Sequence, residues 1–205
     1  MTEGPRLLAV LISGRGSNFL AIHEAIALGE LSARIVAVIS NRPDAAGLER
    51  ANELGLPSFA IDHRSFPSRE SHEEAVLSRL EKSGAELIAL AGYMRRLSPE
   101  FVERFRHRIV NIHPSLLPSF PGVDAQAQAL AWGVKVTGCT VHLVDEEVDA
   151  GPVLVQRVVP VRDDDTAETL SARILEEEHR AYVEALAKMC RGYRVEGRRV
   201  VFDSE

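Results

Sequence analysis

The sequence predicts an α/β fold: a doubly wound, mostly parallel sheet with helices on both faces and an antiparallel edge strand. Three observations predict it. Apolar runs of strand length alternate with segments of helical periodicity through the first two thirds of the chain, and such uninterrupted apolar strands are buried on both faces, as in a parallel sheet covered by helices. Cap and turn residues stand at the joints. After Gly133 the alternation gives way to two β-rich runs joined by a short acidic turn, which fits an antiparallel pair at one side of the sheet.

In order, LLAVLIS reads as the first strand and SNFLAIHEAIALGE as the first helix. ARIVAVIS and DAAGLERANELG repeat the pair, with Asp44 placed to cap the second helix and Gly55 to end it. ELIALAG is followed by SPEFVERFR, where Ser98-Pro99 supplies a cap and a proline at the first helical position. RIVNIH is the next strand and DAQAQALAW the next helix. TGCTVHLVDEE and GPVLVQRVVPV are the β-rich runs. Asp165 with Glu168 reads as a capping box ahead of a long helix to about Cys190, and RVEGRRVVF as a small terminal hairpin.

At 205 residues without a shift in composition or a Ser/Pro/Gly-rich linker, one domain spanning residues 1–205 is expected. Hydrophobic residues at 45% and charged residues at 26% are those of a globular chain. The formal charge of -6 argues against a nucleic-acid surface, which needs clustered Lys and Arg. The N-terminal apolar run breaks at Ser13-Gly14, too short for the ~20 residues of a membrane span and without a signal peptide's cleavage region. Cys139 and Cys190 lie far apart, in no CxxC or Cys/His spacing, and are read as reduced thiols of a cytoplasmic protein. The histidines, among them His23, His63, His72, His107, His142 and His179, show neither HxxxH nor HExxH spacing, so no metal site is expected and each of these six is read as a core or surface residue.

Four constellations carry chemistry. LLAVLISGRGSNFLAI is a strand, a glycine turn and a helix; its N-terminal N–H groups, with the Ser17 hydroxyl, suit an anion. The third glycine of GxGxxG is replaced by Phe19, the second strand ends in Ser40-Asn41, and no GxxxxGK[ST] occurs, so a single phosphate monoester fits better than a dinucleotide or triphosphate. In VNIHPSLLP, Asn111 and His113 share one face of a strand at its carboxyl end. There an amide can donate to a carbonyl oxygen while an imidazolium stabilises developing negative charge. Pro114, Pro118 and Pro121 stiffen the loop that follows, and Ser115 lacks a GxSxG elbow. In DEEVDAGP a carboxylate could orient the histidine and keep it charged; spacing alone leaves Asp145, Glu147 and Asp149 as candidates. On the last helix Leu170, Ile174, Leu175, Ala181, Tyr182, Ala185, Leu186 and Met189 form an apolar stripe with Glu178 in its middle, where a carboxylate needs a partner or a ligand.

Together these residues resemble the phosphoribosylglycinamide formyltransferase family. VLISGRGSN, SNRPDAAGLERA, LAGYMRRLSP, NIHPSLLPSFPG, GCTVHLVDEEVDAGPVLVQ and EEEH follow family order and spacing over nearly the whole chain; HPSLLP and the DxGP region belong to the wider formyltransferase group. The resemblance implies a formyltransferase-like fold and transfer of a formyl group from 10-formyltetrahydrofolate to the amine of glycinamide ribonucleotide, in purine biosynthesis, with no metal, by a monomer or homodimer. It implies that Asn111, His113 and Asp149 are the catalytic trio. Gly16, Ser17 and Asn18 would hold the ribose phosphate, and the turn Leu175, Glu176, Glu177 and Glu178 the glycinamide end. Arg69, the stretch Met94, Arg95, Arg96 and Leu97, Asn111, and the loop Asp145, Glu146, Glu147, Val148 and Asp149 would meet the folate. Arg15, and Asp124-Ala125-Gln126 after PGV, depart from some members and lie beside these motifs.

Rival readings differ in what they add or lack. A formyltetrahydrofolate hydrolase carries an extra N-terminal regulatory domain, and methionyl-tRNA formyltransferase adds a C-terminal domain and a basic RNA surface; the expected first strand near Arg6 and the acidic composition favour the small substrate. A non-catalytic nucleotide-binding module would have the phosphate turn and no need of Asn111, His113 and an acidic partner.

Overall fold

The computed structural model describes residues 4–203, so the expected domain limits at residues 1 and 205 lie outside the described residues. The elements in chain order are β1 (Arg6–Ile12), α1 (Ser17–Ala27), β2 (Ala33–Ser40), α2 (Ala46–Glu53), β3 (Ser58–Ala60), α3 (Arg69–Ser83), β4 (Leu87–Leu90), α4 (Pro99–Arg104), β5 (Ile109–His113), α5 (Ala125–Trp132), β6 (Val136–Leu143), β7 (Val153–Pro160), α6 (Ala167–Arg191), β8 (Tyr193–Glu196) and β9 (Arg199–Phe202). The strands form one sheet in the order β3-β2-β1-β4-β5-β6-β7-β9-β8. From β3 to β5 all neighbours are parallel. β6 then runs antiparallel between β5 and β7, and the β8–β9 hairpin leaves an antiparallel strand, β8, at the edge.

The chain order reverses at β1, where β2 leaves to one side and β4 to the other. Ligands bind such sheets outside the carboxyl ends of the strands at this switch point. The two faces carry separate cores. On one, Phe19 and Ile22 of α1, Leu48 of α2 and Ile174, Tyr182 and Leu186 of α6 pack on Val10, Val38, Val110, Val141 and Val155. On the other, Val76 and Leu80 of α3 and Phe101 and Val102 of α4 pack on Leu11, Ile39, Leu90 and Ile109. Beyond β5 the second face loses its helices. There the pleat turns Asn111, His113, Thr140 and His142 onto a side covered by loops.

Several local expectations shift. Asp44 does not cap α2: Ala45 is still extended, with no side-chain cap bond, and the Asp44 carboxylate pairs with Arg42 at 2.9 Å. One residue too early, it cannot reach the first-turn donors. Gly55 does end the helix, its left-handed backbone letting its N–H reach the Asn52 carbonyl at 2.9 Å. Ser98 caps α4 as expected, accepting from the Phe101 N–H at 3.2 Å. For α6 the box is Thr166 with Thr169, not Asp165 with Glu168, because Thr166 is the last extended residue before the helix. Asp165 instead takes Arg173 and the Arg162 N–H, and the Arg173 guanidinium first, then that N–H, hold its carboxyl well below the usual carboxylate range. β3 and α3 occupy a stretch to which the sequence reading assigns no element. In α3 a box of Ser68 and Ser71 replaces the Glu or Gln signature, and Val76 and Leu80 are its only buried apolar residues, so the stripe is thin.

Candidate functional site

The turn after β1 is shaped by two glycines that touch. Gly16 caps α1 in the left-handed region, φ 73°, and a Cβ there would lie 3.1 Å from the Gly47 Cα. Gly47, in the first turn of α2, donates its N–H to the Gly14 carbonyl at 3.0 Å. Helical bonding in α1 reaches back to the Gly16 carbonyl, which accepts from Leu20 at 2.9 Å, so the N–H groups of Ser17, Asn18 and Phe19 remain for an anion. Arg15 is exposed beside them.

Asn18 is buried and its amide donates to Glu178 Oε2 at 3.0 Å, while its own Oδ1 has no partner. The first and last helices therefore meet at the turn, as the stripe anomaly required. Burial pushes the Glu178 carboxyl up, while the Asn18 amide and His113 pull it down. Of the turn Leu175–Glu178, only Glu178 is placed beside Asn18: Leu175 is half-buried, Glu176 is exposed, and Glu177 is held by Arg157 at 3.3 Å and Arg180 at 2.6 Å. Those two glutamates lie on flanks that the 100° spacing turns away from Glu178.

Asn111 and His113 sit at the carboxyl end of β5, on the loop-covered face. The Asp149 carboxylate folds back over them, 3.4 Å from His113 Nδ1. Asp145 and Glu147 are exposed, so the chain's path singles out Asp149 among the carboxylates left open by spacing. Its backbone is left-handed, φ 56°, and its Oδ2 accepts from the Gly122 N–H at 2.8 Å. Gly151 makes the fold-back possible, since a Cβ there would sit 1.8 Å from the Leu143 carbonyl oxygen. His113 is 4% exposed, and its Nε2 donates to the Phe120 carbonyl at 2.8 Å. The proline loop is pinned to the sheet: Thr140 Oγ1 accepts from the Leu117 N–H and donates to the Ser115 carbonyl, and Gln156 donates to the Leu117 carbonyl. Ser115 donates to the Ser119 carbonyl at 2.5 Å, a structural bond rather than a nucleophile's.

The remaining candidates line the ends of β4, α3 and the β6–β7 loop. Met94 is 80% exposed, and its N–H donates to Ser13 Oγ at 2.8 Å, tying this loop to the end of β1. Arg95 is half-buried and Arg96 exposed, whereas Leu97 is buried in the second core. Arg69 is held by Glu73 at 2.9 Å and keeps a buried Nη2 without a partner; Glu73 also accepts from the Ser98 N–H at 3.1 Å. Asp145, Glu146, Glu147 and Val148 form the exposed rim leading to Asp149. Among the described residues no group of three or more His, Cys, Asp or Glu is arranged to hold a metal ion, and no helix is long and apolar enough to cross a membrane.

His142, buried as a core histidine, and Ser13, Asn41 and Glu73 also border these candidates. His142 lies directly opposite Asn111 across β5 and β6, where its Nε2 is 3.2 Å from the Asn111 amide and 3.8 Å from Asp149 Oδ1. The alternation of TVHLV gives its face, but only the register gives its neighbour. Ser13 donates to Asn41 Oδ1 at 2.5 Å, joining the ends of β1 and β2.

The geometry has known counterparts. The Formyl transferase family model matches residues 6–186. The trifunctional purine biosynthetic protein adenosine-3 of Drosophila melanogaster is 46% identical over 94% of this chain, which spans only 14% of that relative. The phosphoribosylglycinamide formyltransferase of Bacillus subtilis is 41% identical over 88% of this chain and 93% of its own. The crystal structure of glycinamide ribonucleotide transformylase 1 from Symbiobacterium toebii superposes with a TM-score of 0.94 at 48% identity, covering 97% of this chain and 94% of that one. With the match running through nearly all of both chains, this chain belongs to the formyl transferase family, among the phosphoribosylglycinamide formyltransferases.

Proposed function

We propose that the protein transfers the formyl group of 10-formyltetrahydrofolate to the amine of glycinamide ribonucleotide, a step of purine biosynthesis, by direct attack through a tetrahedral intermediate. The observation that carries this function is the meeting of Asn111, His113 and Asp149 on the loop-covered face of the sheet, within electrostatic reach of Glu178 beside the phosphate turn. The turn's free N–H groups anchor the ribose phosphate, and Glu178 receives the glycinamide end. Arg69, the Met94–Leu97 loop and the Asp145–Asp149 rim line the folate side.

The amine lone pair forms the new C–N bond as the carbonyl π pair moves to oxygen. The Asn111 amide and protonated His113 stabilise that oxyanion, with the Asp149 carboxylate 3.4 Å from the His113 ring. Collapse restores the carbonyl and breaks the bond to the folate nitrogen, which gains a proton as the attacking nitrogen loses one; His113, or a water it orders, carries it. His113 Nε2 is bonded to the Phe120 carbonyl, so its contact with the oxyanion exchanges that bond for one to substrate. Anchoring both substrates in one cleft makes the attack effectively unimolecular.

Incubating the protein with 10-formyltetrahydrofolate, with and without glycinamide ribonucleotide, tests the function. Formylated ribonucleotide formed only with both present is the expected result. Formate release from the folate alone would assign a hydrolase, and no reaction in either mixture would assign a binding module.

A further inference from the structure

His142 is buried in the site, and the family trio leaves it without a task. Its Nδ1 lies 2.9 Å from the Leu143 carbonyl oxygen. A carbonyl only accepts, so Nδ1 carries a proton. Its Nε2 lies 3.2 Å from the Asn111 amide nitrogen, and an amide nitrogen only donates. The two contacts are satisfied together by one species, the neutral ring protonated on Nδ1 with its Nε2 lone pair turned to Asn111. The same contact fixes Asn111: turned over, its carbonyl oxygen would face a lone pair.

We propose that His142 is a positioning residue for formyl transfer, holding the Asn111 amide as acceptor so that the amide's second N–H is presented to the formyl oxygen. This rests on the function proposed above. The two titratable groups facing His142 are Asp149, 3.8 Å away from the β6–β7 loop, which favours a charged ring, and His113 from β5, which opposes one. Burial outweighs the Leu143 carbonyl bond and Asp149 and holds the His142 pKa below the ordinary value. A proton on Nε2 would remove the acceptor that Asn111 needs and set His142 competing with His113 for the Asp149 carboxylate. Protonation of this one ring would loosen both partners of the oxyanion.

Three measurements test the role. Nitrogen-15 spectra of the histidine rings at neutral pH should report His142 as neutral and protonated on Nδ1; an Nε2–H ring overturns the proposal whatever the enzyme's activity. His142→Leu, which keeps bulk and removes the acceptor, should lower kcat by roughly 10-fold or more, short of the ~10²- to 10³-fold of losing an oxyanion donor outright, and leave both KM values nearly unchanged. His142→Gln offers Asn111 an acceptor that cannot ionise; it should recover most of the loss and flatten the acid side of the kcat profile. Adding either change to Asn111→Ala should cost little more, since a positioning residue has nothing left to position. Full additivity with Asn111→Ala, or equal losses in the Leu and Gln variants, overturns the proposal. A wild-type chain that transfers no formyl group overturns the proposed function instead, and the ring spectra still decide the His142–Asn111 bond.

Discussion

Asp149 keeps a left-handed backbone without being glycine, a conformation that asparagine tolerates as well as aspartate does. Asp149→Asn therefore removes the charge next to His113 while retaining the backbone and an oxygen for the Gly122 N–H. It should lower kcat by roughly 10²-fold or more, as should His113→Ala, with circular dichroism and melting temperature close to wild type; turnover near wild type in either variant would sink the assignment. Glu178 gives a second prediction, with opposite effects on stability and binding. Its carboxyl is raised by burial, so ionisation opposes folding: the cost is absent below the unfolded pKa, grows as pH rises, and is complete above the folded one. Glu178→Gln can still accept from Asn18. It should raise the melting temperature at pH 8 and lose that advantage near pH 4, around the ordinary glutamate range, while raising KM for the ribonucleotide. A melting difference that grows toward acid would contradict the burial argument.

Among elements, the contact between the β1–α1 turn and α2 shapes the proposed phosphate site. A Cβ on Gly47 would meet Ile12 Cδ1 at 2.8 Å and the Gly14 oxygen and Gly16 Cα at 3.1 Å, so a side chain there pushes α2 and the turn apart by a few tenths of an ångström. Gly47→Ala should raise KM for glycinamide ribonucleotide several-fold with kcat and the folate KM little changed; an unaltered KM would separate the turn's shape from phosphate binding. This contact was not legible in the sequence, because SNRPDAAGLERA reads as an ordinary helix start. The helix starts themselves were legible to within a residue: Ser98 was found, but Asp44 and Asp165 were each one position early. A cap is defined by the last extended residue, and aspartates just before it find arginine partners, Arg42 and Arg173. α3 escaped because a helix whose buried face carries His72 and Glu73 beside only two apolar residues has little periodicity to read.

At the scale of the molecule, one sheet carries both cores, and α6 lies across its β4 to β9 side. The Tyr182 hydroxyl, fully buried, lies 2.9 Å from the Val110 carbonyl and 3.1 Å from that of Leu90, so the last helix is pinned to the strands that carry the site. We therefore propose that the chain is one cooperative unit. Calorimetry should give a single transition whose van't Hoff and calorimetric enthalpies agree, and a resolved second transition would divide the phosphate half from the catalytic half.

Legible in the residues alone were the alternation of strands and helices, the face shared by Asn111 and His113, the place of Glu178 on the apolar stripe of the last helix, and, through its motifs, the family. These are written in short-range periodicity, because burial imposes a repeat of 2 or 3.6 residues on neighbours along the chain. It is the folded chain that brings Asp149 rather than Asp145 or Glu147 to His113, sets His142 facing Asn111, turns Glu177 to Arg157, and packs Gly47 against the turn. Each of these depends on strand register, on the path of a loop or on how two helices approach. A hydrogen bond tolerates only tenths of an ångström, a precision that no local pattern of residues carries.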